Sequence, residues 1–404
     1  MYVCNYFLQR AMDLNFSWVF SNSEVYVLGL LVLIWILEIV YQFYFFARPA
    51  RFYKKCEKGK TVYSNQYPPI SVIVYAQNDA ENLIKFLPEI LKQDYPQFEV
   101  IVVNDDSTDD SKDILSVLET QYSNLYHTYI PEGSRNLSHK KLALTLGVKA
   151  AQYDIVAFTN ANCRPAGNQW LASLARNFVP GTDIVLGYTA TQRKEKEPLS
   201  FWYCSYDKLL FTLRYLSFAL IRRPYMGESS NMAYRKELFF KNKGFSKSLH
   251  LHYGDDDLFI NEIANRKNTR VEISQAAQMT ATYPDNNEAW KELKLQYDFT
   301  SKYLHTAARK IFGIGKFFDY AFDILFVVST IWGILHNCTI LILAWCLAIA
   351  LFSIKVSVYR TAAQIFHSPK LFFALPLFSL IQPGVNIYFK IIGLASRKKN
   401  FTWQ

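Results

Sequence analysis

The sequence predicts an α/β domain with a mostly parallel sheet, held between segments apolar enough to enter a bilayer. Three observations carry this. Continuous apolar runs of strand length occur at Ile70–Tyr75 (ISVIVY), Phe98–Val103 (FEVIVV) and Asp154–Thr159 (DIVAFT). Stretches with helical spacing separate them, which is the pattern of strands buried on both faces and joined by crossovers. Outside residues 65–310 lie long apolar stretches bordered by Lys and Arg.

The first such stretch, Val25–Phe46, has close to the roughly 20 apolar residues that a crossing needs. It starts late and has no basic run before it or small-residue cleavage site after it, unlike a removable leader. Glu38 in its middle is costly in lipid and is expected to face another helix. Arg48, Arg51, Lys54, Lys55, Lys58 and Lys60 follow at once. The positive-inside rule then puts residues 1–24 outside and the chain from about residue 50 in the cytoplasm.

Within 65–310, Ala80–Lys92 carries Leu83, Ile84, Leu87, Ile90 and Leu91 at helical spacing, and Ser111–Gln121 and Leu142–Ala151 also read as helices. Strand–helix–strand order implies parallel pairing with right-handed crossovers. Ligands bind beyond the carboxyl ends of such strands. Three polar loops stand there, Gln77-Asn78-Asp79, Asn104-Asp105-Asp106-Ser107 and Asn160-Ala161-Asn162, and are expected to converge on one crevice.

Beyond the domain, Phe317–Leu335 and Thr339–Val358 predict a transmembrane hairpin (317–358) linked by His336–Cys338, with Asp319 and Asp323 in its cytoplasmic entry turn. Leu371–Leu394 is also apolar but contains Pro376, Pro383 and Gly384, and a basic tail (395–404) follows. A full crossing would place that tail outside. A re-entrant or interfacial helix pair is therefore favoured over a span.

Bulk composition agrees. Of 404 residues 51% are hydrophobic and 16% aromatic, and the net charge is +10. The basic residues flank apolar segments, which points to an anionic lipid surface and away from nucleic acid. Six scattered Cys form no Cys-x-x-Cys pair, so neither a zinc site nor a disulfide framework is signalled. The few spans are too few to enclose a polysaccharide channel alone.

The segments SVIVYAQNDAENL, QDYPQFEVIVVNDDSTDDS, SHKKLALTLGVKAAQYDIVAFTNANCRP, PYMGESSNMAYRKELFFKNKGF and HYGDDDLFINEIA together resemble the family 2 glycosyltransferases of the GT-A fold, over roughly residues 68–305. The resemblance implies a Rossmann-like catalytic domain that moves a sugar from a nucleotide-sugar donor to an acceptor hydroxyl, usually with inversion and a divalent cation, Mg²⁺ or Mn²⁺. By that resemblance Tyr75, Ala76 and Asp79 cradle the nucleotide. Asp105 holds its base or ribose, as an acceptor of hydrogen bonds from ring N–H or hydroxyl groups. Lys140 and Lys141 match the lysine region near the diphosphate, and Lys141 is assigned to the nucleotide. Asp255 or Asp256 is the general base, whose neighbouring carboxylates raise its pKa.

Two departures stand out. Asn160-Ala161-Asn162 replaces the family's Asp-x-Asp, which removes two negative charges from the metal position and should weaken any divalent cation. The stretch Trp290–Tyr303 lacks the arginine of a Gln-x-x-Arg-Trp-like motif, leaving Trp290 as a candidate to stack on an acceptor sugar. The expectation is an integral membrane glycosyltransferase with a cytoplasmic catalytic domain and a lipid-linked or glycan acceptor, of the kind used for cell-envelope polysaccharides. Lys140, Lys141 or Arg164 would then replace the metal. The alternative is a catalytically impaired relative that binds a nucleotide-sugar or a partner enzyme.

Overall fold

A computed structural model describes residues 17–130, 138–192, 198–283, 286–304, 306–369 and 374–400. The expected outer residues 1–16 and the end of the basic tail, 401–404, lie outside the described residues.

The chain enters through α1 (Asn22–Tyr41), whose start is fixed by a capping box between Ser21 and Glu24. A π-helical turn, Gln42–Phe46, leads into the basic α2, Arg48–Glu57. The α/β domain begins with β1 (Ile70–Ala76), α3 (Ala80–Leu91), β2 (Phe98–Asn104), α4 (Ser111–Gln121), β3 (Leu125–Tyr129), α5 (His139–Ala150) and β4 (Ile155–Asn160). After these come β5 (Cys163–Pro165), α6 (Trp170–Ala175), β6 (Ile184–Leu186), β7 (Thr189–Thr191), the long α7 (Leu199–Leu220), β8 (Met232–Arg235), α8 (Lys236–Lys241) and α9 (Asp257–Ile263). The domain ends with β9 (Thr269–Val271), β10 (Met279–Ala281) and α10 (Asn286–Ser301). Three long helices follow: α11 (Thr306–Leu335), α12 (Cys338–Ile365) and α13 (Leu375–Asn400).

Among the described residues the main sheet has the order β3-β2-β1-β4-β8-β6-β9. The pairs β1–β2, β1–β4 and β2–β3 are parallel, as the apolar runs predicted. Strand β8 runs antiparallel to both β4 and β6. A second small sheet, β5-β10-β7, lies beside the β4 end. Helix α5 packs very close to β1: a Cβ on Gly147 would stand 2.6 Å from Ile73 Cγ2, so a larger residue there would push the helix off the sheet.

Among the described residues four helical stretches are long and apolar enough to cross a membrane: Asn22–Glu57, Gly313–Leu335, Cys338–Ile365 and Leu375–Gly393. Glu38 is fully buried and faces another helix, with its Oε1 3.2 Å from Lys355 Nζ on α12. Lys355 also donates to Asp319 Oδ1 at 2.9 Å. Asp319 is therefore part of an interhelical charge cluster. The last segment differs from the expected broken pair. It is one helix that carries Pro383 inside, because an apolar face with partners on α7 and α10 outweighs one missing backbone hydrogen bond.

Candidate active site

The carboxyl ends of β1, β2 and β4 lie side by side, with Ala76 opposite Asn104 and Tyr75 opposite Asn160. The first two loops are stitched together: Asn78 N–H donates to Ser107 Oγ at 2.9 Å, and Thr108 N–H donates to Asn78 Oδ1 at 2.8 Å. Asn78 and Asp106 take positive φ of 51° and 47°, a region that Asn and Asp tolerate better than most residues.

Asp105 is fully buried at the floor of this crevice. Tyr75 Oη donates to its Oδ2 at 2.6 Å, and His139 Nδ1 lies 2.7 Å from its Oδ1. Burial first, and then Asp105, push the Tyr75 phenol well above its ordinary pKa, so it remains a donor. Ala76 contributes its backbone carbonyl, which accepts from Asp105 N–H at 2.8 Å. Asp79 closes its own loop, accepting from Asn82 Nδ2 at 2.7 Å, and burial raises its pKa.

The two lysines at the start of α5 do different things. Lys140 reaches into the crevice: its Nζ is 2.9 Å from Asp255 Oδ2, 3.0 Å from Ser229 Oγ and 5.8 Å from the centre of the Tyr75 ring. Burial works against its charge, but Asp255 and Asp256 outweigh that and raise its pKa. Lys141 points the other way. It is fully buried, and its three N–H groups go to the carbonyls of Ser248, Leu251 and Tyr253 at 2.5, 2.9 and 2.8 Å. With every donor taken, Lys141 clasps the loop before the acidic triplet. Of the two, Lys140 is the lysine whose ammonium group lies in the crevice.

That loop turns at Gly254, where φ is 104° and a Cβ would stand 2.6 Å from Leu258 Cδ1. The turn delivers Asp255, Asp256 and Asp257, all buried, to the crevice wall. Asp256 caps α9 by accepting from Asp257 N–H at 2.7 Å. Burial, then Asp255 and Asp257, push the Asp256 carboxyl well above the usual range. Asp257 accepts from Leu258 N–H at 2.7 Å and from Thr300 Oγ1, and burial pushes it up to about 6. Among the described residues Asp255 is the member of the triplet with a cation in direct contact.

Asn160 and Asn162 fit a divalent cation poorly. Both offer neutral amides, and Asn162 uses its Nδ2 on Thr282 O at 3.1 Å and its Oδ1 on Cys163 Sγ at 3.4 Å. No group of three or more His, Cys, Asp or Glu suited to a metal occurs among the described residues. Arg164 is exposed on β5. Trp290 is pinned: its Nε1 donates to Asp207 Oδ2 at 3.0 Å, and Tyr203 and Phe389 meet its ring edge-on. It still borders a cleft with Thr191, Cys204, Lys208, Tyr283 and Leu293.

Sequence reasoning missed His139, Ser229 and Thr300. His139 adjoined a lysine already singled out, and its position at a helix start beside a crevice was the available signal. Ser229 lay inside PYMGESSN, a segment noted without a role. Nothing local marked Thr300, which reaches Asp257 only because α10 folds back against α9.

Residues 71–239 match the glycosyl transferase family 2 profile. Glycosyltransferase AglE of Haloferax volcanii is 35% identical over 123 residues, 30% of this chain and 39% of its own length. A beta-monoglucosyldiacylglycerol synthase of Nostoc is 26% identical over 155 residues, 37% of this chain and 30% of its own. The chain thus matches well under half the length of these relatives. In structure it resembles mannosyltransferase PcManGT from Pyrobaculum calidifontis, solved with GDP-Man and Mn²⁺, at a TM-score of 0.51 and 17% identity, covering 92% of this chain and 99% of that one.

Proposed function

We infer from the family 2 glycosyltransferase domain that the chain carries at residues 71–239 that it transfers a sugar from a nucleotide-sugar to a lipid-linked or glycan hydroxyl at the cytoplasmic membrane face. The observation that carries this reading is the ion pair between Lys140 and Asp255 above the ends of β1 and β4. It places a fixed cation and a carboxylate in one crevice, the two groups that departure of a diphosphate and activation of a hydroxyl require.

The donor's base or ribose lies against Tyr75, Asp105 and His139, and its diphosphate draws Lys140 off Asp255. Freed, Asp255 takes the proton of the acceptor hydroxyl. The acceptor oxygen bonds to the anomeric carbon from the face opposite the diphosphate, the carbon–oxygen bond to phosphate breaks, and the nucleoside diphosphate leaves with its new charge facing Lys140. Configuration inverts. Asp256 holds the end of α9 by accepting from Asp257 N–H. Because the amides of Asn160 and Asn162 do not suit a divalent cation, no step is assigned to one.

Trp290, which borders the acceptor cleft, packs against Phe389 of α13, which supports a membrane-derived acceptor. Phe378 meets Tyr203, Gln382 Nε2 donates to Asp207 Oδ1 at 3.2 Å, and a Cβ on Gly393 would stand 3.2 Å from Asp298 Oδ2. A helix in contact with α7 and α10 along this much of its length lies at the interface. The resulting arrangement is three spans, with the N-terminus outside and both the domain and the tail in the cytoplasm. Cysteine accessibility at sites near Lys58 and Lys398 tests it, and external labelling of the tail would contradict it.

The activity is tested with purified full-length protein, a panel of UDP- and GDP-sugars, and lipid-phosphate and glycan acceptors. One donor should yield free nucleoside diphosphate and a glycosylated product, and both should be lost in Asp255→Asn. Donor binding without release or transfer would overturn the catalytic reading and leave a nucleotide-sugar-binding subunit for a partner enzyme.

A further inference from the structure

A second cleft opens on the other side of α7, where that helix meets α11, α12 and α13. Tyr206, Leu210 and Arg214 recur at four-residue spacing and line it, whereas Lys208 and Phe211 of the same helix face the acceptor cleft and Tyr297. The two clefts are therefore separate, with α7 as the wall between them.

The second cleft is charged in an uneven way. Lys355 lies between Glu38 and Asp319, at 3.2 and 2.9 Å, so this cation is neutralised within the protein. Arg214 and Lys316 have no hydrogen bond or ion pair among the described residues; Arg214 has only the face of Phe46, 6.0 Å from its guanidinium. The remaining acid in the lining, Asp323, lies one turn further along α11 than Asp319. Two half-buried cations beside the ends of apolar helices have no anion within bonding distance among the described residues, and Asp319 and Asp207 act on Arg214 only from farther off. Neutral polar groups stand ready around them: Ser379, Gln382 and Asn386 from α13, the last donating to Tyr320 Oη at 3.0 Å. Next to these polar groups, Phe317, Ile387 and Ile391 are 62%, 58% and 62% exposed, an apolar surface for acyl or prenyl chains.

We propose that Arg214 and Lys316 bind the phosphate of a membrane lipid in this cleft. Arg offers a planar fork of donors and Lys a point charge, and both suit a phosphate monoester or diester at the depth where headgroups lie. Gln382 borders the cleft and also reaches Asp207, which in turn holds Trp290. A bound lipid therefore has a short polar route to the acceptor side, although its binding does not depend on transfer.

The test is native mass spectrometry of the full-length protein in detergent, with a polyprenyl monophosphate, phosphatidylglycerol or phosphatidylcholine added at equal concentration. The protein should retain an anionic lipid in preference to phosphatidylcholine. Arg214→Gln combined with Lys316→Gln should lower that retention by about tenfold or more, as expected for losing charge-assisted bonds. Arg214→Lys should keep most of it, which guards against a variant that merely misfolds. Preference for the polyprenyl phosphate identifies the acceptor lipid as the occupant, and preference for phosphatidylglycerol identifies a bilayer lipid; either supports the site. Equal retention of phosphatidylcholine, unchanged retention in the double variant, or full displacement by equimolar inorganic phosphate would overturn it.

Discussion

Lys140 Nζ stands 2.9 Å from Asp255 Oδ2, so the cation proposed to meet the diphosphate is tied to the carboxylate proposed as the base. One side chain thereby holds the other until a donor arrives. Lys140→Met should remove the fixed charge that faces the departing diphosphate. Loss of one preorganised group of this kind typically lowers kcat by about 10²–10³. Steady-state transfer assays should show that loss in kcat, and an unchanged kcat would refute the role.

Asp105 accepts from Tyr75 at 2.6 Å and lies 2.7 Å from His139, which fixes its orientation at the nucleotide end of the crevice. Asp105→Ala should weaken nucleotide binding by about 1.5–3 kcal/mol, the worth of a hydrogen bond to a charged group. Calorimetric titration with the nucleoside diphosphate measures this, and His139→Gln should give a smaller loss. Equal affinity in Asp105→Ala would remove this residue from the site.

Lys141 should behave as a structural residue. Its three carbonyl partners would be left unsatisfied in Lys141→Met, which costs on the order of 3 kcal/mol or more of stability. The melting temperature should fall, while the fraction that remains folded should bind nucleotide as the parent does. Selective loss of nucleotide affinity with normal stability would return Lys141 to the diphosphate.

Asp257 carries a pH signature. Its carboxyl is pushed from 3.8 to about 6 by burial, so between those values the folded chain holds a proton that the unfolded chain releases. Stability from this group is full below pH 3.8 and is lost as the pH rises through about 6. Asp257→Asn keeps an acceptor for Leu258 N–H, turns an N–H donor toward the Thr300 hydroxyl and removes the buried charge. The variant should melt higher than the parent at pH 8, by about 2–4 °C for each kcal/mol recovered, and the gain should vanish near pH 4. Thermal scans across that range check the direction.

The sheet was legible where strands are long and buried on both faces. Ile70–Tyr75, Phe98–Val103 and Asp154–Thr159 each fall on an observed strand, because an uninterrupted apolar run has few other uses in an α/β chain. Strands of three residues, such as Ile184–Leu186 and Met279–Ala281, carry no periodicity, and the antiparallel β8 rests on partners far away in sequence. In the site, the convergence of the three polar loops followed from topology alone. The division of labour between Lys140 and Lys141 did not: adjacent helical residues point about 100° apart, and the direction of each depends on how α5 docks on β1. His139 and Asp105 are 34 residues apart, a distance only the folded chain closes. Pro383 argued for a break in the last helix, and only its packing against α7 and α10 shows why the helix continues.

The central claim is that a fixed lysine stands in for the metal, and the most direct measurement is transfer by the full-length protein in EDTA, before and after Asn160→Asp with Asn162→Asp. The parent should transfer equally well with EDTA and with Mn²⁺, Lys140→Met should lower this metal-independent transfer by about 10²–10³, and the double variant should acquire dependence on Mn²⁺. Transfer by the parent that disappears in EDTA and returns with Mn²⁺ would contradict it, because two neutral amides would then be holding the ion that Lys140 is held to replace.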